Sequence, residues 1–318
     1  KSFIPLLALL ALSHIPASAQ EKALNLYSAR HYQTDEALYA NFTKATGIRI
    51  NRIEAGDEQL LERLRSEGAN SPADVLLIVD ASRLYNAQQL GLFQPVKSAL
   101  LESRIPATLR DPGGEWFGFS SRARVIVYSK ARVKAADVPS YESLAAAANK
   151  GRVCVRSGSH PYNLSLVAAM IEHLGEPKAE AWARGMVANF ARAPKGGDTD
   201  QIKAVAAGEC DVALSNSYYY ARLLRSARVE DQEVVAKAGI VWPDQAGFGA
   251  HVNISGAGVL KNAPHRDAAV RFLEYLASDE AQRYFANGNN EWPAVKSVVV
   301  SNPELEALGK FKPDVLPI

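Results

Sequence analysis

The sequence has little net charge and few cysteines, and it lacks the short motifs of common enzyme classes. Its 318 residues include 36 Lys and Arg against 34 Asp and Glu, a net charge of +2. A nucleic-acid partner calls for a concentrated basic surface, which this balance argues against. The Gly-x-Ser-x-Gly motif, the His-Glu-x-x-His motif and a phosphate-binding loop are missing. We therefore expect neither a nucleic-acid-binding protein nor an enzyme.

The first nineteen residues are predicted to form a cleaved signal peptide. Lys1 gives a basic start, residues 3–12 are apolar, and Ala17-Ser18-Ala19 is a small-x-small cleavage site. A membrane span needs about 20 apolar residues, and this stretch is shorter and contains Pro5. No cysteine follows the site to carry a lipid anchor. We expect a mature periplasmic chain that is soluble, monomeric and not inserted in a membrane.

The two cysteines are candidates for one disulfide. Cys154 and Cys210 each lie in a short apolar run that reads as a strand, and an even number of cysteines in an exported chain favours pairing. Two buried free thiols are the alternative. A zinc site is excluded as an interpretation because no further Cys or His partners lie nearby.

Strands and helices alternate along the chain, which predicts an α/β protein with mostly parallel sheets. A helix is expected between the N-cap Thr34 and Gly47, and a second at residues 58–67. The length suits two α/β domains, and residues 120–130 and 247–258 are predicted to cross between two lobes. The predicted strands are residues 24–28, 48–53, 73–79, 125–128, 152–155 and 211–214.

Three aromatic segments share one position in this plan, because each follows a strand and precedes a helix. They are His31-Tyr32, Tyr162, and the run Tyr218-Tyr219-Tyr220. Ligands of open α/β sheets bind just beyond the carboxyl ends of the strands. The three segments are therefore expected to converge on one cleft. A run of tyrosines packed in a core is the alternative.

A cluster of phenols points to a strongly polarising cation. Tyrosine ionises near pH ~10 and needs such a cation to lose its proton at neutral pH. Ferric iron qualifies, and tyrosinate is a known ligand of haem iron. Zinc prefers Cys and His, and calcium prefers carboxylates and carbonyls. His160 is a further nearby candidate.

The sequence resembles the periplasmic ferric-binding proteins, the transferrin-like receptors of ABC importers, over essentially the whole mature chain. The matching motifs are residues 27–32, 154–159, 216–220, 249–258 and 290–293. The resemblance implies a two-lobed clamp with a strand hinge, which binds iron between its lobes and delivers it to an inner-membrane permease. It implies an N-terminal lobe of residues 20–124 and 249–299, and a C-terminal lobe of residues 125–248 and 300–318.

The resemblance also implies roles for individual residues. Tyr220 matches a position that is not a ligand, and no acid near His31 completes a histidine-plus-glutamate set. Fe(III) is the leading ion, Fe(II) remains an alternative, and carbonate is a candidate synergistic anion. A small organic ligand (a polyamine, thiamine or a phosphonate) and an exported enzyme are the rival functions. The implied metal ligands are His31, Tyr32, Tyr162, Tyr218 and Tyr219, and the implied anion-holding or supporting arginines are Arg122 and Arg222.

Overall fold

Twelve α-helices are found in the part of the chain that the computed structural model describes, which is residues 22–30, 32 and 34–316. The predicted signal peptide and His31 lie outside these residues. The predicted end of the first helix is confirmed, because Gly47 caps it with a φ of 71°. The helices are α1 (Asp35–Thr46), α2 (Asp57–Glu67), α3 (Ala81–Gln89), α4 (Ala99–Arg104), α5 (Pro161–Leu174), α6 (Glu176–Ala188), α7 (Asp198–Ala207), α8 (Ser217–Arg225), α9 (Val229–Lys237), α10 (Arg266–Leu276), α11 (Asp279–Asn289) and α12 (Pro303–Ala307).

Within the described residues, nine strands form one curled sheet in two parts, which we call the first and second lobes. β4 belongs to both parts: residues 117–123 pair with β8, and residues 124–129 pair with β6 and β7. The first lobe has the order β2-β1-β3-β8-β4, and the second continues as β4-β6-β5. The strands are β1 (Ala23–Ser28), β2 (Arg49–Glu54), β3 (Val75–Val79), β4 (Phe117–Ser129), β5 (Val153–Cys154), β6 (Val212–Asn216), β7 (Ala238–Val241), β8 (Val252–Val259) and β9 (Trp292–Pro293).

The two-lobed α/β prediction is confirmed, but the expected strand direction holds only for part of each lobe. β1 runs parallel to β2 and β3, and β5 runs parallel to β6. All described pairings of β4 and β8 are antiparallel. The reason is that β4 passes from one lobe into the other, and that β4 and β8 both run against the strands supplied by βαβ units. The prediction that residues 120–130 cross between lobes agrees with β4, whereas β8 pairs only in the first lobe.

Buried side chains assign α3 to the first lobe and α5 to the second. Leu84 of α3 packs in an apolar cluster with Leu76 of β3, and Leu166 of α5 packs with Val212 of β6. Such burial stabilises each helix by roughly 1.5–3 kcal/mol per large side chain. The exact lobe limits stay a prediction.

A disulfide joins Cys154 at the end of β5 to Cys210, which lies just before β6. Both residues are buried, so the expected pairing within one lobe is found. Among the described residues, no helix has the length and apolarity needed to cross a membrane.

Candidate metal site between the lobes

The predicted tyrosines lie where the strand ends place them. Tyr32 lies between β1 and α1, Tyr162 is the second residue of α5, and Tyr218 and Tyr219 are in the first turn of α8 directly after β6. Proline at the first position of α5 has its φ preset for a helix, which helps to fix the start that carries Tyr162. The first lobe therefore supplies one phenol and the second lobe supplies three.

The phenolic oxygens meet at the hydroxyl of Tyr218. Tyr32 donates a hydrogen bond to it, with 3.2 Å between the two oxygens. The Tyr162 oxygen lies 3.3 Å from the same atom. The rings of Tyr218 and Tyr219 pack with their centroids 4.1 Å apart. These four side chains, named the tyrosine cluster here, join the two lobes at one point.

Burial keeps the phenols of the tyrosine cluster protonated at neutral pH. Desolvation raises the pKa of Tyr32 to about 12, and the nearby Glu291 carboxylate adds to the rise. Desolvation also raises the pKa of Tyr162, Tyr218 and Tyr219, with further increases from neighbouring phenols. A cation that binds here must displace these protons. Only a strongly polarising ion gains enough from phenolate ligation to do so.

Guanidinium groups surround the tyrosine cluster and favour negative charge in it. The Arg222 guanidinium carbon lies 5.8 Å from the ring centroid of Tyr218 and 5.6 Å from that of Tyr219. Arg122 lies 5.8 Å from the Tyr162 centroid. All three distances are within the range of cation–π contacts. The two arginines singled out from the sequence are thus both beside the tyrosine cluster, Arg122 buried and Arg222 exposed.

A buried polar network holds Arg122 in place. Arg122 and Arg30 each donate to the Ser255 hydroxyl, at 2.7 Å and 2.6 Å. Arg30 also pairs with Glu291 at 3.1 Å, and Ser120 donates to the same carboxylate at 2.7 Å. The Nε and Nη2 atoms of Arg122 are buried and have no hydrogen-bond partner among the described residues. An anion that accepts hydrogen bonds from these two atoms would compensate the cost of their burial.

A second network fixes the starts of α5 and α8 relative to each other. Arg124 donates to Asp198 at 2.6 Å and to Asn163 at 2.7 Å. Asp198 also accepts from the backbone amide of Asn216 at 2.7 Å. Asn163 follows Tyr162, and Asn216 lies two residues before Tyr218. The ion pair therefore positions the phenols of the second lobe.

Several residues of these networks were missed from the sequence. Arg30 and Glu291 both fall in motifs that match the ferric-binding proteins, which was the available signal. Arg124 and Asp198 carried no sequence signal, because their pairing joins residues 74 positions apart. Asp35, in the first turn of α1, is buried and pairs with Arg30 at 2.9 Å.

The remaining candidates point away from the tyrosine cluster or support it. The Tyr220 hydroxyl donates to the Ala238 carbonyl at 2.9 Å, which agrees with its exclusion as a ligand. His160 accepts a hydrogen bond from the Tyr162 amide at 3.3 Å, which occupies one of its ring nitrogens. No cluster of three or more His, Cys, Asp or Glu that could hold a metal is found within residues 22–30, 32 and 34–316. Phenols are thus the main candidate metal ligands of the described site.

Comparison with known proteins identifies the family. Residues 37–313 match the family model described as bacterial extracellular solute-binding protein. This chain belongs to that family. The chain is 54% identical over 314 residues to iron uptake protein A2 of Synechocystis, covering 98% of this chain and 89% of the relative.

Solved structures with this fold include iron-binding proteins. A Trichodesmium protein in complex with iron and citrate ligands is 54% identical, with a TM-score of 0.88 and 93% of each chain covered. The ferric binding protein from Campylobacter jejuni is 42% identical, with a TM-score of 0.89, covering 92% of this chain and 93% of that one. The family resemblance expected from the sequence motifs is confirmed.

Proposed function

We propose that this solute-binding protein captures iron, as Fe(III), with the phenolates of Tyr32, Tyr162, Tyr218 and Tyr219. The single observation that carries the proposal is the convergence of phenols from both lobes, since the Tyr32 and Tyr162 oxygens lie 3.2 Å and 3.3 Å from the Tyr218 oxygen. Relatives named for iron uptake and ferric binding support it. His31 as a further ligand stays a prediction.

The arrangement gives the chain residues distinct tasks in binding. The phenols release protons to become anionic donors, and Arg222 and Arg122 offset the negative charge that develops. The free donors of Arg122 support a small anion such as carbonate beside the ion, because a guanidinium presents a fixed fork of hydrogen bonds. A polyamine, thiamine or a phosphonate has no comparable supporting observation among the described residues.

The transport context is also proposed. The family and the relatives support export to the periplasm and delivery to an inner-membrane ABC permease. A monomeric carrier without enzymatic activity is part of the same proposal. In this scheme the lobes close on Fe(III) and open to release it. The predicted lobes of residues 20–124 with 249–299, and 125–248 with 300–318, would move as the two halves of the clamp.

Loading with ferric citrate tests the ligand set. The wild-type protein should develop a tyrosinate-to-iron charge-transfer colour, and Tyr218→Phe combined with Tyr219→Phe should abolish it. Tyr220→Phe is the matched control in the same helix, and it should keep the colour because its hydroxyl bonds to Ala238 instead. A colourless wild-type protein, or a colour equally lost in the control, would refute the proposal.

A further inference from the structure

Asp80 directly follows β3 and has an unusual backbone conformation, and hydrogen bonds hold its carboxylate in place. Its φ is 112°, which residues with a Cβ rarely adopt. The Asp80 amide donates to the Ile254 carbonyl at 2.9 Å, and Asn253 donates to its Oδ2 at 2.8 Å. Asn253 also accepts from the Ala81 amide at 2.8 Å. Strained residues that their surroundings hold in this way often serve a function.

The other oxygen of Asp80 accepts a hydrogen bond from the opposite lobe. The Ser165 hydroxyl donates to Oδ1 at 2.7 Å. Ser165 lies in α5, which packs on the second lobe, whereas Asp80 caps α3 of the first lobe. Both residues are buried. Burial raises the pKa of the Asp80 carboxyl, and hydrogen bonds from Ser82 and Ser165 oppose this rise.

The position of Ser165 in α5 links this bond to the tyrosine cluster. Tyr162 lies three residues earlier in the same helix, and residues at i and i+3 share one helix face. A bond that fixes Ser165 against the first lobe therefore also fixes the position of Tyr162 relative to Tyr32 of the first lobe. Contacts across the lobes thus include both Tyr32 to Tyr218 and Ser165 to Asp80.

We propose that Asp80 and Ser165 form an interlobe hydrogen bond that positions α5 and slows the release of iron. The inference rests on the proposed iron binding and adds two positioning residues that are not ligands. The hydroxyl of Ser165 reaches Asp80 only when the lobes are closed, so the bond selects the closed form. The strained backbone of Asp80 is held by Asn253 so that the acceptor is in place before closure.

Ser165→Ala tests this inference through the rate of iron release. Protein loaded with ferric citrate is mixed with excess chelator, and the decay of the charge-transfer band is followed. A hydrogen bond to a carboxylate is worth enough that its loss should speed release by about 10-fold. The wavelength of the band should not change, because the ligand set is the same. Small-angle scattering of the variant should also show a larger radius of gyration.

Two further variants separate the bond between the lobes from a hydroxyl bond to Asp80 within one lobe. Ser82→Ala removes a hydroxyl that bonds the same Asp80 oxygen at 2.5 Å from within the first lobe, and it should release iron at the wild-type rate. Ser165→Thr keeps the hydroxyl, and the cavity of about 390 Å³ beside it accommodates a methyl group. It should restore slow release.

Equal release rates for Ser165→Ala and wild type would overturn the inference, as would equal acceleration in Ser82→Ala. A threonine variant that releases as fast as the alanine variant would overturn it as well. A wild-type protein that never develops the band would instead count against iron binding itself. In that case the scattering comparison still decides whether Ser165 holds the lobes together.

Discussion

At the scale of single residues, the tyrosine cluster is built so that its donors are neutral until a cation arrives. The phenols are buried, and burial raises their pKa above the usual value of about 10. Arg222 and Arg122 lie near their rings, where they favour the phenolate form. Binding and proton release are therefore coupled at each phenol.

This coupling predicts a steep loss of affinity as the pH falls. Between pH 5 and pH 9 the pH lies below the pKa of all four phenols, because burial raises the pKa of Tyr32 to about 12 and also raises those of the other three. Each phenol that ionises on binding should then lower the apparent affinity about 10-fold per pH unit of acidification. The measurement is competition with citrate at several pH values.

Tyr32→Phe provides the matched test of this slope. It removes one ionising donor, so the dependence of log affinity on pH should become shallower by about one. Tyr220→Phe should leave the slope unchanged. An unaltered slope in Tyr32→Phe would show that Tyr32 does not ionise when the ion binds.

Residue identity was predictable where a side chain carried its own chemical signal. The phenols could be singled out because three aromatic segments share one place in the chain plan, each after a strand and before a helix. The ion pair that positions them could not, since Arg124 and Asp198 are 74 positions apart. Only the fold brings such pairs together, and no local spacing marks them.

At the scale of elements, the tyrosines depend on where α5 and α8 begin. Both helices follow strands of the second lobe, and Asp198 ties their starts together through Arg124 and Asn216. The local elements were predictable because Gly47 and the apolar run in β3 are strong local signals. Strand direction was not, because the pairing of β4 with β8 depends on residues more than 130 positions apart, as Phe117 and Ala257 show.

The disulfide of the second lobe is expected to stabilise the elements that carry three of the donors. It closes a loop of 56 residues, which corresponds to about 4 kcal/mol in the chain-entropy model. Cys154→Ala combined with Cys210→Ala should therefore lower the urea midpoint. The charge-transfer colour should persist, because neither cysteine is among the proposed ligands.

Reduced wild-type protein is the control for this comparison. Its urea midpoint should match that of the double alanine variant, since both lack the same covalent bond. An unchanged midpoint in both samples would mean that the disulfide does not limit the unfolding of the second lobe.

At the scale of the whole molecule, β4 runs through both lobes, and the proposed ligands come from both of them. Iron binding should therefore stabilise the two lobes together. At a free iron concentration of 1,000 times Kd, linkage adds about 4 kcal/mol to the free energy of unfolding. Calorimetry should show one transition that shifts to higher temperature.

The variant with Tyr218→Phe and Tyr219→Phe serves as the reference, because it should gain no stability from iron. If iron shifts only one of two resolved transitions in the wild-type protein, the ion is held by one lobe alone. That outcome would contradict a site shared between lobes.

The uneven division of donors has a consequence for the order of events. Of the proposed ligands that the structure describes, Tyr162, Tyr218 and Tyr219 belong to the second lobe and Tyr32 belongs to the first. An incoming ion can thus be captured by three donors on an open surface and sealed by the fourth. On opening, the ion keeps most of its coordination and loses its cover first. The second lobe then holds the ion while the first lobe covers it, so that the ion is released from the exposed face of the second lobe.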